Sequence, residues 1–183
     1  MEMTFLNNFY TILRTQMFGN TYAVGQLVTE STTASGERNI LGNLKDNGGN
    51  SFTGMYNQTT TNGFGFFKNN NSYGDNAWTL FGVGSGRTAV SMDDYELASP
   101  ITSGVSIARV ATTSTVGITC NVVVNNTGNS DVSVSEIGLY DRIVTNTNDH
   151  TVLVARAVLD NPVVIPAGES KTFDVSLSLA LPA

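Results

Sequence analysis

Two runs of strict alternation constrain this chain more than anything else in it. Val116, Ile118, Cys120, Val122 and Val124 recur at every second position. Near the other end Phe173, Val175, Leu177, Leu179 and Leu181 do the same. A side-chain period of two puts each set on one face of an extended strand, so each run predicts a β-strand with one face on a core. A slip of one residue would turn the whole set to water, which fixes the pairing register.

Weaker signals fill in around these two. Trp78 to Val83 and Val105 to Val110 read as strands, and Asn125-Asn-Thr-Gly-Asn129 as a turn. Val132 and Val134 start an alternation that jumps phase at Glu136-Ile137-Gly138-Leu139, as a β-bulge requires. Val152 to Leu159 is a further strand, after which Pro162 and Pro166-Ala-Gly-Glu169 bound a short edge strand and a tight turn. Six or seven strands between residues 77 and 183 predict a mainly β chain with an antiparallel β-sandwich or jelly-roll-like domain. Charged residues are only 13% of the chain, about half the usual share, so polarity rests on Asn, Thr, Ser and Gly, the residues of loops and turns.

Residues 7 to 18 are the one helix candidate, with Asn7 or Asn8 to cap the start and Gly19-Asn20 to close the end. Phe5, Phe9, Ile12, Leu13 and Met17 form an apolar stripe at helical spacing. Three turns are too few to persist alone in water, so the stripe must dock. Residues 19 to 76 are rich in Gly, Asn and Thr, with turn punctuation at 46–50 and 59–63, and predict an extended arm with brief strands. The organisation expected is therefore a helix and arm over 1–76 and a β-domain over 77–183. On that division the stripe is an assembly surface that lands on a neighbouring subunit, outside the core of the β-domain, and removal of residues 1 to 18 leaves that domain folded.

Charge excludes several function classes. Nine Lys and Arg stand against fifteen Asp and Glu, a net charge of −6, and the cations are scattered, which argues against nucleic acid as a partner. No apolar run is long enough for a transmembrane helix. Met1-Glu-Met-Thr-Phe5 lacks the basic and apolar regions of a secretory signal, so synthesis in a cytoplasm is expected. With one cysteine, Cys120, there is no disulfide framework. The Asn-X-Ser/Thr sequons at Asn57 and Asn125 then read as products of composition.

Candidate chemistry thins out on inspection. Gly82-Val-Gly-Ser-Gly-Arg-Thr88 resembles a phosphate loop, but Phe81 and Arg87 stand where that motif needs Gly and Lys, so a strand-to-loop turn is expected. His150, the only histidine, sits beside Asp149 in a segment that reads as a solvated loop. Cys120 faces a core in the strand reading. Asp93-Asp94-Tyr95-Glu96 does not match a calcium-loop spacing and reads as solvated acids in a turn. The aromatics Phe64, Phe66, Phe67, Trp78 and Phe81 read as core or interface. Glu136 and Arg156 are different: each is a charge in an otherwise apolar strand, so each must find a partner, and the two are expected to pair across strands. No catalytic, metal-binding or cofactor-binding residue is expected.

Two stretches carry a resemblance. Phe81-Gly-Val-Gly-Ser-Gly-Arg-Thr-Ala-Val-Ser-Met-Asp-Asp-Tyr-Glu-Leu-Ala-Ser-Pro-Ile101 is one. The other runs from Val134-Ser-Glu-Ile-Gly-Leu-Tyr140 through Val152-Leu-Val-Ala-Arg-Ala-Val158 to Ile165-Pro-Ala-Gly-Glu-Ser-Lys-Thr-Phe173. Both resemble segments of tailed-bacteriophage structural proteins, from heads, necks, tails and fibres. That resemblance implies a virion component with no catalytic residues, a homo-oligomer in contact with other virion proteins. The rival expectation is a receptor- or carbohydrate-binding adhesin module on the same particle.

Overall fold

The computed structural model describes residues 1–18, 37–39, 44–52, 55–57, 79–114, 117–144 and 149–177. The chain is mainly β, as expected, with one short helix among the described residues, near its start. In order, the elements are β1 (Glu2–Phe5), α1 (Asn7–Phe18), β2 (Glu37–Asn39), β3 (Leu44–Lys45), β4 (Ser51–Phe52), β5 (Met55–Asn57) and β6 (Thr79–Gly84). There follow β7 (Val105–Ser114), β8 (Gly117–Asn126), β9 (Val132–Val144), β10 (Asp149–Ile165) and β11 (Ser170–Leu177).

Seven strands form one mixed sheet in the order β6-β9-β10-β1-β11-β8-β7, curled until it nearly closes into a barrel. It consists of two antiparallel halves, β6-β9-β10 and β11-β8-β7, joined by β1. β1 runs antiparallel to β10 and parallel to β11, the only parallel pairing among the described strands.

The alternating sets behave as their period requires. Cys120, Val122, Val124, Phe173, Val175 and Leu177 are buried, with Phe173 opposite Val122 and Val175 opposite Cys120 in register. Val116 and Leu179, and the side chain of Ile118, lie outside the described residues. The phase jump is where the sequence places it. Val134 pairs with Val163 and Glu136 with Val158, so β10 carries four residues, 159–162, against the single Ser135 of β9. Val134, Ile137 and Leu139 consequently all reach the core. Pro162 falls inside this irregularity and does not end the strand; β10 runs unbroken to Ile165.

The first segment departs from expectation. Met3, Phe5, Leu6, Phe9 and Ile12 are all buried, and all but Leu6 belong to the same core cluster as the sheet residues. The rings of Phe5 and Phe9 stack with centroids 3.9 Å apart. Phe5 is in β1, not on the helix. At roughly 1.5–3 kcal/mol per buried large side chain, five such residues rival the whole net stability of an ordinary domain, about 5–15 kcal/mol. Residues 1–12 are therefore part of the β-domain, and the surface on which the stripe docks is the chain's own sheet. The side chains of Leu13 and Met17 lie outside the described residues.

Both candidate capping asparagines reach across the fold. Asn7 Nδ2 donates to Asp93 Oδ1, while Asn8 Nδ2 donates to the carbonyls of Lys45 and Leu153, and Asn8 Oδ1 accepts from Lys45 N–H. The Leu6 carbonyl accepts the first helical bond, from Tyr10 N–H. Most of the arm expected over 19–76 lies outside the described residues. Its described pieces are the short strands β2 to β5, of which β3 buries Leu44 in the core.

Candidate functional site

β9 is buried on both faces from Val134 to Leu139, which a sheet with one solvated face does not allow. Ile137 and Leu139 face the core. Glu136, Gly138 and Tyr140 face outward, beneath a strap formed by residues 85–101 that follows β6. The strap returns to β6 through Ser85 N–H to Ser99 O and Ile101 N–H to Val83 O, each 2.9 Å. Leu97 is the strap's buried plug, sitting where a Cβ on Gly138 would be.

Glu136 is the centre of this layer. Its Oε1 accepts from Gly86 N–H at 3.0 Å and Ser99 N–H at 2.8 Å; its Oε2 accepts from Ala98 N–H at 3.1 Å and from Arg156. Arg156 gives Oε2 two contacts, Nε at 2.9 Å and Nη2 at 2.7 Å. The expected cross-strand pair is thus formed, with Arg156 opposite Gly138 and Glu136 opposite Gly84 in register. Five donors leave this fully buried carboxylate well satisfied, as burial of a charge requires.

Arg156 has a second acidic partner. Its Nη1 donates to Asp94 Oδ2 at 2.6 Å and its Nη2 to the Thr88 carbonyl at 3.1 Å. Burial alone would depress the guanidinium pKa, but the bonds to Asp94 and Glu136 outweigh it and hold the pKa above its ordinary value. Asp94 Oδ2 also accepts from Ser91 N–H. The expectation of solvated acids at 93–96 is therefore corrected for Asp94: a buried cation on β10 has drawn it inward. The glycine loop is a strand-to-loop turn, as expected, and it does cradle an anion, the chain's own Glu136. A Cβ at Gly84 or Gly86 would overlap Oε1 of that residue.

Tyr140 completes the layer, its Oη accepting from Leu97 N–H at 3.3 Å. Burial pushes its phenol up to about 12, with Glu136 and Glu96 adding to the rise, against the Leu97 bond and Arg156.

A second polar group lies at the other end of β10. His150 is in that strand and mostly buried, with Nδ1 3.2 Å from Asp46 Oδ2, so the solvated-loop reading of His150 is corrected. Asp46 sits in the turn of the β3–β4 hairpin. Its Oδ1 accepts from the N–H groups of Gly48 and Asn50, and Asn47 N–H donates to the Thr151 carbonyl. Burial alone would raise the Asp46 carboxyl pKa; bonds from Asn50, His150 and Gly48 bring it below the usual value. The pair pins the hairpin to β10.

Cys120 is fully buried on β8. Phe81 is half-buried against the core, while Phe64, Phe66, Phe67 and Trp78 lie outside the described residues. Asn125 Oδ1 accepts from Ser170 Oγ, and its Nδ2 donates to Ser106 Oγ, cross-strand contacts on β8. Among the described residues no three His, Cys, Asp or Glu side chains gather as a metal site. The sequence signal for Asp94 was its acidic cluster, but only the path of the strap brings it to Arg156. Tyr140 gave no signal, and Asn8 gave one only as a candidate helix cap, not as the bridge between Lys45 and Leu153 that it forms. No family model, curated protein or solved structure matches the chain.

Proposed function

We propose that this chain is a non-enzymatic structural component of a tailed-phage particle, a capsid-decorating, neck or tail accessory protein that self-associates. One observation carries the reading. Residues 81–101, 134–140 and 152–158, which resemble segments of phage structural proteins, meet in a single buried layer where Glu136 and Arg156 bind the strap to the sheet. In that layer Glu136, Arg156 and Asp94 are engaged with one another and with backbone, an arrangement that stiffens a scaffold. The test is location: antibody labelling and peptide mass spectrometry of purified particles of the virus that encodes the chain. A fixed copy number per particle is the expected result. Recovery from the soluble lysate alone, with none on particles, would overturn the reading.

A further inference from the structure

β10 and β11 are consecutive in the chain and joined by a tight turn, yet they do not pair with each other. Near the turn the gap between them is closed by Asn126. Its Nδ2 donates to the carbonyls of Ile165 and Ser130, its N–H donates to Glu169 O, and its carbonyl accepts from Gly168 N–H. Farther along, the two strands diverge into a slot, and β1 lies in it. Thr4 and Phe5 are opposite Arg156 and Ala155 on one side; Glu2 and Met3 are opposite Ser176 and Leu177 on the other. Leu6 N–H bonds to Val154 O, and Ser176 N–H to Met1 O.

Both walls of this slot offer backbone groups that only another strand can satisfy. Its floor takes alternate side chains: Met3 and Phe5 go into the core, while Glu2 and Thr4 stay exposed. α1 then lays Phe9 and Ile12 over the same core. We propose that this slot is a strand-acceptor site for a second copy of the chain, in which residues 1–12 of one copy occupy the slot of another.

The occupant is fixed by complementarity, because every copy carries the one described segment that fits. An exchanged segment makes the same contacts as its own, so exchange is decided by the connection and by concentration. Eighteen residues separate Phe18 from Glu37. Their covalent reach is about 60 Å, against a radius of gyration of about 16 Å for a globular chain of this length. A neighbouring molecule is within range.

The proposal rests on the self-association part of the reading above and not on its particle. Glu2→Cys and Ser176→Cys are made separately in the full chain, mixed at high concentration, incubated and oxidised, with mass followed by light scattering. Because the two positions are register partners, β1 of one chain beside β11 of the other holds the two thiols together and makes the mixed disulfide form in preference to a disulfide between like chains. The expected result is a covalent dimer holding one chain of each kind, together with suppression of the oligomer by excess synthetic peptide 1–18. Oligomers that neither cross-link nor respond to the peptide overturn strand exchange and leave self-association standing. A chain that is monomeric at every concentration overturns both.

Discussion

Arg156 Nη2 and Nε lie 2.7 Å and 2.9 Å from a single oxygen of Glu136, and both residues are almost wholly removed from water. The desolvation of two charges is offset here by their mutual attraction and by the three backbone amides that close on the carboxylate. Glu136→Ala and Arg156→Met should each destabilise by about 3–5 kcal/mol, because the first leaves buried Arg156 with Asp94 as its one carboxylate and the second leaves buried Glu136 with backbone amides alone. The double variant should lose less than the sum, by about 1–3 kcal/mol. It should not return to the parent value, since Gly86, Ala98 and Ser99 N–H groups stay without an acceptor. Urea unfolding of the four proteins measures this, and strict additivity would refute the coupling.

The same carboxylate explains two glycines. Gly84→Ala and Gly86→Ala each place a methyl on Glu136 Oε1, and should destabilise by about 1–3 kcal/mol through forced displacement of the strap. Gly168→Ala meets nothing within 4 Å and carries only the strain of φ +76°, about 1 kcal/mol. Glu136→Asp withdraws the carboxylate by one methylene, so the Gly86→Ala penalty should shrink in that background. An unchanged penalty would mean that the clash is elsewhere.

The pairing of Glu136 with Arg156 was legible because an ionised group in an apolar strand has few ways to be satisfied. The change of phase along β9 was legible because a period of two cannot change silently, but the sequence did not show that the extra residues, 159–162, lie on β10. Asp94 was not, because the strap has no periodicity from which its path can be read. β1 was missed for a different reason. Four residues are too few to establish alternation, and Phe5 also fits the helical stripe of Phe9 and Ile12, so the longer pattern claimed it. The same confusion made an internal docking face look like an external one.

Phe9→Ala should destabilise the protein by about 3–5 kcal/mol, as for any large aromatic removed from a packed core. Asn8→Ala should destabilise by about 1–3 kcal/mol, because the Lys45 and Leu153 groups it bridges lose their partner. Thermal unfolding of both variants checks this. Unchanged melting temperatures would restore the view of α1 as an appendage.

At acid pH the Asp46 carboxylate, held by bonds from Asn50, His150 and Gly48, should set part of the stability loss. The folded pKa of Asp46 lies below its unfolded value of 3.8, so its contribution is present above that value and disappears as pH falls through the folded pKa. Asp46→Asn should flatten this part of the profile. Hydrogen exchange in residues 44–52 should quicken first as pH is lowered in the parent protein, and uniform quickening would count against a local effect.

At alkaline pH the sign reverses and the group changes to Tyr140. Its phenol is neutral when protonated, and burial beneath Leu97 raises its folded pKa from 10.0 to about 12. Above pH 10 the unfolded chain releases this proton while the folded chain keeps it, so the folded state binds more protons and stability must fall as pH rises. The decline starts near pH 10 and levels off near pH 12. Two pKa units correspond to at most about 2.7 kcal/mol at about 1.36 kcal/mol per unit. Tyr140→Phe loses the bond from Leu97 N–H and should be slightly less stable at neutral pH. It should also be less sensitive to pH between 10 and 12, so the two stability curves converge or cross. Denaturant unfolding at stepped pH, with the tyrosinate absorbance of both proteins recorded in parallel, measures the effect. Parallel curves across that window would show that Tyr140 ionises as readily in the folded chain as in the unfolded one, and that the strap does not seal the outer face of β9.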